Sequence, residues 1–331
     1  MRSKLLRPFA NRRVVRWSIW LAVGLVLWLG VSSVVAFRLT RRARPRFDEP
    51  APRVAWGPIE DARLQTRDGQ EIGAWFVEGE SAAPSVLVLH GNKGSRGNSL
   101  KRAEFLAQAG CAVLMISLRA HGDSTGDFND IGYSARQDVI AAVAFLEAKR
   151  PGRPIVVLGT SLGSAAAVFA SAELGHRVQG YILESPYQDL KTAVWNRTQT
   201  YLPPLLAQIS YVGLRLVGPA FLPQLDAIAP VRAIDGIPAD VPVLILAGAA
   251  DALARPEEAR ALWQRVSRHG RLLLFPGANH NNLFPSAQTK YKEVVLEFCR
   301  SMPRKEGTES EKQSEHNTIF EHDLLFRFLP R

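Results

Sequence analysis

Hydrophobic positions change their spacing three times along this 331-residue chain. Ser18 to Phe37 is an uninterrupted uncharged run of 20 residues, rich in Leu, Val, Ile and Trp. As a helix it would rise about 30 Å, the thickness of a bilayer's hydrocarbon core. Beyond residue 60 the pattern becomes short apolar runs separated by longer stretches of helical periodicity. Strands are expected at 72–78, 85–90, 112–118, 154–159, 180–184, 242–248 and 271–275. Ser85–Leu89 and Val241–Leu246 are continuous apolar runs, the pattern of strands buried on both faces. Helices are expected between them, at 98–109, 134–149, 162–174, 256–268 and 286–300. This alternation implies an α/β fold with a mostly parallel sheet and helices on both faces.

Two stretches break the rhythm. Residues 187–240 carry Trp195, Tyr201, Leu205, Ile209, Tyr211 and Phe221, interrupted by prolines at 203, 204, 219, 223 and 230. Several short helices are expected there, either as a cap over a site or as a packing extension of the core. The segment 301–331 begins with a polar, charged run that predicts disorder. The chain is therefore divided into a basic segment 1–17, a transmembrane helix 18–37, an Arg- and Pro-rich linker 38–60, a globular domain 61–300 and a disordered tail 301–331.

Locating the net charge of +10 changes its meaning. Residues 1–53 hold 12 of the 41 basic side chains and 2 of the 31 acidic ones, so the globular part is neutral. That pattern points to a bilayer and argues against a nucleic-acid groove. Basic residues crowd both ends of the apolar run, leaving only a slight asymmetry. It favours a cytoplasmic N-terminus and a catalytic domain outside the cytoplasm. A cleaved signal peptide is the alternative, with Val34-Val35-Ala36 as its cleavage site. The two cysteines, Cys111 and Cys299, lie in apolar patterns and suit core positions better than a redox pair.

The chemistry concentrates at strand exits. Pro154–Leu158 runs into Gly159-Thr160-Ser161-Leu162-Gly163, after which Ala165–Ala170 continues as a small-residue helix. A Gly-x-Ser-x-Gly turn between strand and helix strains the serine backbone and lifts its hydroxyl above the sheet edge. The same pentapeptide could also be a tight turn without chemistry. A serine nucleophile needs a base, an orienting acid and an oxyanion hole. Asp251 and His280 each follow a strand, giving the chain order serine, acid, histidine. Glu184 and Asp226 compete for the acid's role. Leu162, at a helix N-terminus, and Asn92, after His90-Gly91, offer backbone N–H donors for an oxyanion. His90 is expected to play a supporting part, with Gly91, Gly159 and Gly163 serving the turns.

Leu89–Asn92, Leu118–Ser124, Gly159–Gly163, Gly248–Asp251 and Pro276–His280 together resemble the successive signatures of the α/β-hydrolase superfamily. The closest likeness is to membrane-anchored serine hydrolases related to monoacylglycerol lipases and acyl-protein thioesterases. The resemblance covers residues 60–300 and implies an eight-stranded sheet, a cap between the sixth and seventh strands, and no cofactor or metal. It makes Ser161, Asp251 and His280 the catalytic residues and Asn92 and Leu162 the oxyanion hole, and it gives His121 a structural role. Ala120 departs from the family pattern, which often has glycine there. The expected function is hydrolysis of an ester or thioester of a lipid-like acyl group through an acyl-enzyme on Ser161. A peptidase of the same fold and a catalytically silent membrane-bound binding module are the alternatives; no protein partner is indicated.

Overall fold

The computed structural model describes residues 12–303. Most of the basic N-terminal segment and nearly all of the expected disordered tail lie outside the described residues. In chain order the elements are α1 (Arg12–Leu39), β1 (Glu60–Gln65), β2 (Glu71–Val77), β3 (Ser85–Leu89), α2 (Leu100–Gln108), β4 (Ala112–Ile116), α3 (Arg136–Lys149), β5 (Ile155–Thr160), α4 (Leu162–Leu174) and β6 (Gly180–Glu184). There follow α5 (Leu190–Tyr201), α6 (Pro204–Phe221), α7 (Pro230–Ala233), β7 (Val243–Gly248), α8 (Pro256–Arg265), β8 (Gly270–Phe275), α9 (Leu283–Ser286) and α10 (Gln288–Arg300).

The strands form one eight-stranded sheet in the order β1-β2-β4-β3-β5-β6-β7-β8. From β4 to β8 all neighbours are parallel, and β2 runs antiparallel to both β1 and β4. Alternate side chains serve opposite faces. Leu87, Leu114, Val157 and Ile245 pack with α3, α4 and α8, whereas Val88, Val113, Leu158 and Leu244 pack with α2 and α10. Parallel strands end on the same side, so the loops after β3, β5, β7 and β8 converge at one edge of the sheet.

Two elements differ from the sequence pattern. Strand β1 was not among the expected strands: its sequence Glu-Asp-Ala-Arg-Leu-Gln pairs on one side only and buries Leu64 alone, leaving no apolar alternation to read. The insertion between β6 and β7 contains an 18-residue helix, α6, where shorter pieces are expected. Its prolines are compatible with helix: Pro203 is the N-cap, Pro204 opens the first turn without needing a donor, and Pro219 falls in the last turn.

Helix α1 continues unbroken through Leu39, past Val34-Val35-Ala36. It is long and apolar enough to cross a membrane. The segment after it lies against the domain. Arg42 donates to the carbonyls of Gly122 (3.1 Å) and Gly126 (2.8 Å), and the Asn129 N–H donates to the Thr40 carbonyl at 2.9 Å. Glu49 is buried and accepts from the Ser117 hydroxyl at 2.6 Å.

Beside it, Arg96 is wholly buried, its guanidinium 4.7 Å from the Trp75 ring centroid. It pairs with Asp123 (Nη2 to Oδ2, 2.8 Å) and donates to the Glu49 carbonyl at 2.5 Å. Arg96→Ala leaves the buried Asp123 carboxylate short of its main counter-charge. Denaturant unfolding in detergent is expected to show a loss of about 3–5 kcal/mol, whereas a loss below about 1 kcal/mol, the range of exposed ion pairs, would contradict the role assigned to this cluster.

Candidate active site

The turn between β5 and α4 is set by two glycines. A Cβ built on Gly159 would stand 2.5 Å from the carbonyl of Gly163, and one on Gly163 would stand 2.7 Å from the carbonyl oxygen of Leu89. Helix α4 therefore crosses both β5 and the end of β3 at backbone contact distance. Between these glycines Ser161 takes φ 51° and ψ −105°, a region L-residues rarely occupy. The conformation is held by backbone bonds: Ser161 N–H donates to the Glu184 carbonyl at 2.8 Å, and Ala165 N–H to the Ser161 carbonyl at 3.1 Å.

The Ser161 hydroxyl lies 3.1 Å from His280 Nε2, and His280 Nδ1 lies 2.8 Å from Asp251 Oδ2. The second carboxylate oxygen, Asp251 Oδ1, accepts the N–H groups of Leu253 and Ala254, both at 2.9 Å. The carboxylate is thus fixed by its own loop while its free oxygen faces the imidazole. This arrangement places the donor proton on Nδ1 and leaves Nε2 to accept from the serine. His280 comes from the loop after β8 and Asp251 from the loop after β7, so three separate strand exits supply the three side chains.

The competing acids are engaged elsewhere. Glu184 pairs with Arg102 (Nε to Oε2, 3.0 Å) and accepts from the hydroxyls of Tyr291 (3.0 Å) and Thr160 (3.2 Å). Asp226 is exposed and pairs with Lys191 at 2.5 Å. Neither meets His280 among the described residues.

Leu162 opens α4, so its N–H is one of the first-turn donors with no intrahelical acceptor. The other expected donor, Asn92, follows β3, and its neighbour Gly91 is within van der Waals reach of Ser161: a Cβ there would be 3.7 Å from the serine Cβ. The Asn92 side chain turns away, its Oδ1 accepting from Asn129 Nδ2 and from the Lys93 N–H, each at 3.0 Å.

His90 is buried and spent on structure. Its Nε2 accepts the Leu118 N–H at 2.9 Å, which leaves Nδ1 protonated to donate to the Gly91 carbonyl at 2.7 Å. Burial, reinforced by the neighbouring His121, pushes its pKa down to about 3. His121 meets the Arg119 carbonyl (2.9 Å) and Asn92 Oδ1 (3.3 Å), and burial lowers its pKa as well. Ala120, the departure from the glycine pattern, adopts φ 60° and so carries the strain a glycine would avoid. Sequence reading did not single out Asn129, which joins the Asn92 turn to the end of α1. Its signal is a contact between distant segments, which no local pattern displays.

Similarity to known proteins agrees with the fold. Residues 80–217 match the sequence profile of the serine aminopeptidase S33 family. The α/β hydrolase domain-containing protein WAV2 of Arabidopsis thaliana is 27% identical over 270 residues, covering 75% of this chain and 82% of the relative. The lysophosphatidylserine lipase ABHD12 of Gallus gallus is 29% identical over 142 residues, 41% of this chain and 36% of the relative. A Pyrococcus furiosus esterase has the same fold, with a TM-score of 0.63 at 22% identity, covering 78% of this chain and 98% of the esterase. Profile match, relatives and fold together support membership of the α/β-hydrolase superfamily.

The depressed pKa of His90 makes an acid-side prediction. Its unfolded value is near 6.5 and its folded value about 3, so between these the unfolded chain carries a proton the folded chain lacks. Stability is therefore lost as pH falls below about 6.5, at up to about 1.4 kcal/mol per pH unit from this one group. His90→Gln keeps an acceptor for Leu118 and removes the titration. Urea unfolding between pH 4 and 6.5 is expected to show a shallower decline than wild type; an unchanged slope would remove His90 from the account.

Proposed function

We propose that the protein is a membrane-anchored serine hydrolase that cleaves an ester or thioester of a lipid-like acyl group. The observation that carries this reading is the hydrogen-bonded line Ser161–His280–Asp251 on three strand exits. His280 Nε2 takes the hydroxyl proton as Ser161 Oγ attacks the acyl carbonyl carbon. The carbonyl oxygen becomes an oxyanion, which the N–H groups of Leu162 and Asn92 stabilise, assisted by the N-terminal dipole of α4. Collapse breaks the bond to the leaving oxygen or sulfur, which receives the proton from His280. A water molecule, activated by the same imidazole, then hydrolyses the acyl-enzyme. Asp251 holds the tautomer and stabilises the imidazolium, without itself taking the proton.

The choice between acyl ester and peptide rests on the insertion. An aminopeptidase needs a carboxylate to receive the substrate's free amine. All four acids of residues 187–240 are committed: Asp189 caps α5 through the Thr192 N–H (2.8 Å), Asp226 pairs with Lys191 (2.5 Å), Asp235 with Arg265 (2.9 Å) and Asp240 with His176 (3.0 Å). An apolar insertion and a membrane helix suit an acyl chain better. The lipase activity named for the Gallus gallus relative points the same way.

A fluorophosphonate probe is expected to label the wild type and not Ser161→Ala. Ser161→Ala and His280→Ala should each lose about 10⁴-fold or more in kcat on p-nitrophenyl esters, while His121→Ala, whose ring bonds to the Arg119 carbonyl and Asn92 Oδ1 and not to Ser161, keeps much of its activity. A folded, unlabelled wild type would overturn the hydrolase reading, and an indispensable His121 would overturn the choice of base. A rate that rises with acyl chain length along the p-nitrophenyl series is the expected substrate signature.

A further inference from the structure

Helix α6 presents its apolar stripe outward. Leu205, Leu206, Ile209, Val212 and Leu216 recur at helical spacing, and all are exposed, Leu205 by 69% and Leu216 by 62%, as is Leu202 just before the helix. The buried residues of the same helix are small: Ala207, Gly213 and Gly218. A helix on a water-soluble domain has the opposite arrangement, with large apolar side chains toward the core. The exposure is also confined. Among the described residues every exposed large hydrophobic side chain lies on α1, on the stretch from Tyr201 to Leu216, or at Phe47 just after α1.

This face is continuous with the membrane helix. The Trp28 indole donates to the Ile209 carbonyl at 3.3 Å, Ser32 packs where a Gly213 side chain would stand, and the Phe37 and Phe221 rings meet edge-on at 6.5 Å. These contacts advance together along both helices, so α6 runs parallel to the second half of α1 and shares its outer surface. Residues 198–214 contain no charged side chain, Gln208 being the most polar group in the exposed stretch, and the first charge is Arg215. Just ahead of the stripe, at the end of α5, the Thr200 hydroxyl reaches the Ala252 carbonyl at 3.4 Å, next to Asp251.

We infer that the outer face of α6 is embedded in the lipid bilayer beside α1, so that the insertion is a second membrane element. The occupant of this face is the acyl region of the leaflet on the catalytic domain's side. Its attraction is the same burial of apolar surface that holds interfacial helices in membranes, added to an anchor already in place. The end of α5, which leads directly into α6, meets the loop of Asp251, so the embedded face brings the entrance of the proposed site to the leaflet. That last consequence rests on the hydrolase reading; the embedding does not.

The test uses the full chain in phosphatidylcholine vesicles, with Leu206→Cys carrying an NBD fluorophore and the wild type measuring any labelling of buried Cys111 and Cys299. Expected are a blue-shifted emission and quenching by nitroxides on the lipid acyl chains, with little quenching by aqueous iodide. Glu257→Cys, on the exposed start of α8, is expected to give the converse. Iodide quenching at position 206 as strong as at 257 would overturn the inference. So would protection from both quenchers, which would mean that protein, a second copy or another chain, covers the stripe. A second readout is the double variant Leu205→Glu, Leu206→Glu: KM for a long-chain ester held in the vesicles rises about tenfold, while turnover of a water-soluble short-chain ester is unchanged. Because the fluorescence result needs no hydrolysis, failure of the enzyme reading and failure of the embedding are told apart.

Discussion

Everything at the site depends on how closely α4 can cross the sheet. With Gly159 and Gly163 the helix approaches β5 and the end of β3 to backbone contact, and Ser161 is forced into its unusual backbone conformation at the crossing. A methyl group at either glycine would push α4 outward. It would also shift the Leu162 N–H, because that donor belongs to the first turn of the same helix. One steric constraint thus fixes both the position of the hydroxyl and the direction of one of the two proposed oxyanion donors. Strain of this kind persists only where surrounding bonds over-determine it, and here the Glu184 carbonyl and Ala165 N–H do so.

Strained backbone is concentrated around that crossing. The non-glycine residues with positive φ among those described are Lys93, Ala120, Ile131, Ser161 and Ser185. Each lies in a loop beyond the carboxyl end of a strand, on the side of the sheet where His280 and Asp251 also arrive. Buried polar groups cluster there too: His90, His121 and Asp138 are all packed into the same edge. Asp138 accepts from Arg119 at both its backbone N–H (2.7 Å) and its guanidinium Nε (2.9 Å), and burial raises its pKa to about 6. The stable interior of the sheet carries a rim in which several residues are held in costly states.

Much of this was legible in the chain because the interior strands are continuous apolar runs and the candidate site residues sit directly after them. The order Ser161, Asp251, His280 could be read because parallel strands bring successive exits to one edge. What could not be read was whatever depends on pairing between distant segments. Strand β1 is recognised only by its partner β2, since Leu64 is its sole buried residue. The prolines around α6 suggested interruptions, yet two of them occupy its N-terminal positions, where proline is tolerated. The outward direction of the α6 stripe was invisible for a related reason: periodicity reveals that a helix has an apolar face, not which way the face points. Residues 38–60 read as a tether by composition, whereas Arg42 and Glu49 are bonded into the domain.

The bonds of Asn129 give that tether a different meaning. Its backbone N–H grips the Thr40 carbonyl just after α1, and its side chain grips the Asn92 turn. The end of α1 and the turn beside the candidate site are therefore joined through one hydrogen-bonded residue instead of by slack chain. A fragment lacking α1 and Thr40 would lose this brace on the Asn92 turn, whereas the Ser161–His280–Asp251 bonds involve no residue of that segment. In mechanical terms α1 and the loop beside Ser161 are braced against each other, and a change in the tilt of α1 would load the Asn92 turn across two hydrogen bonds.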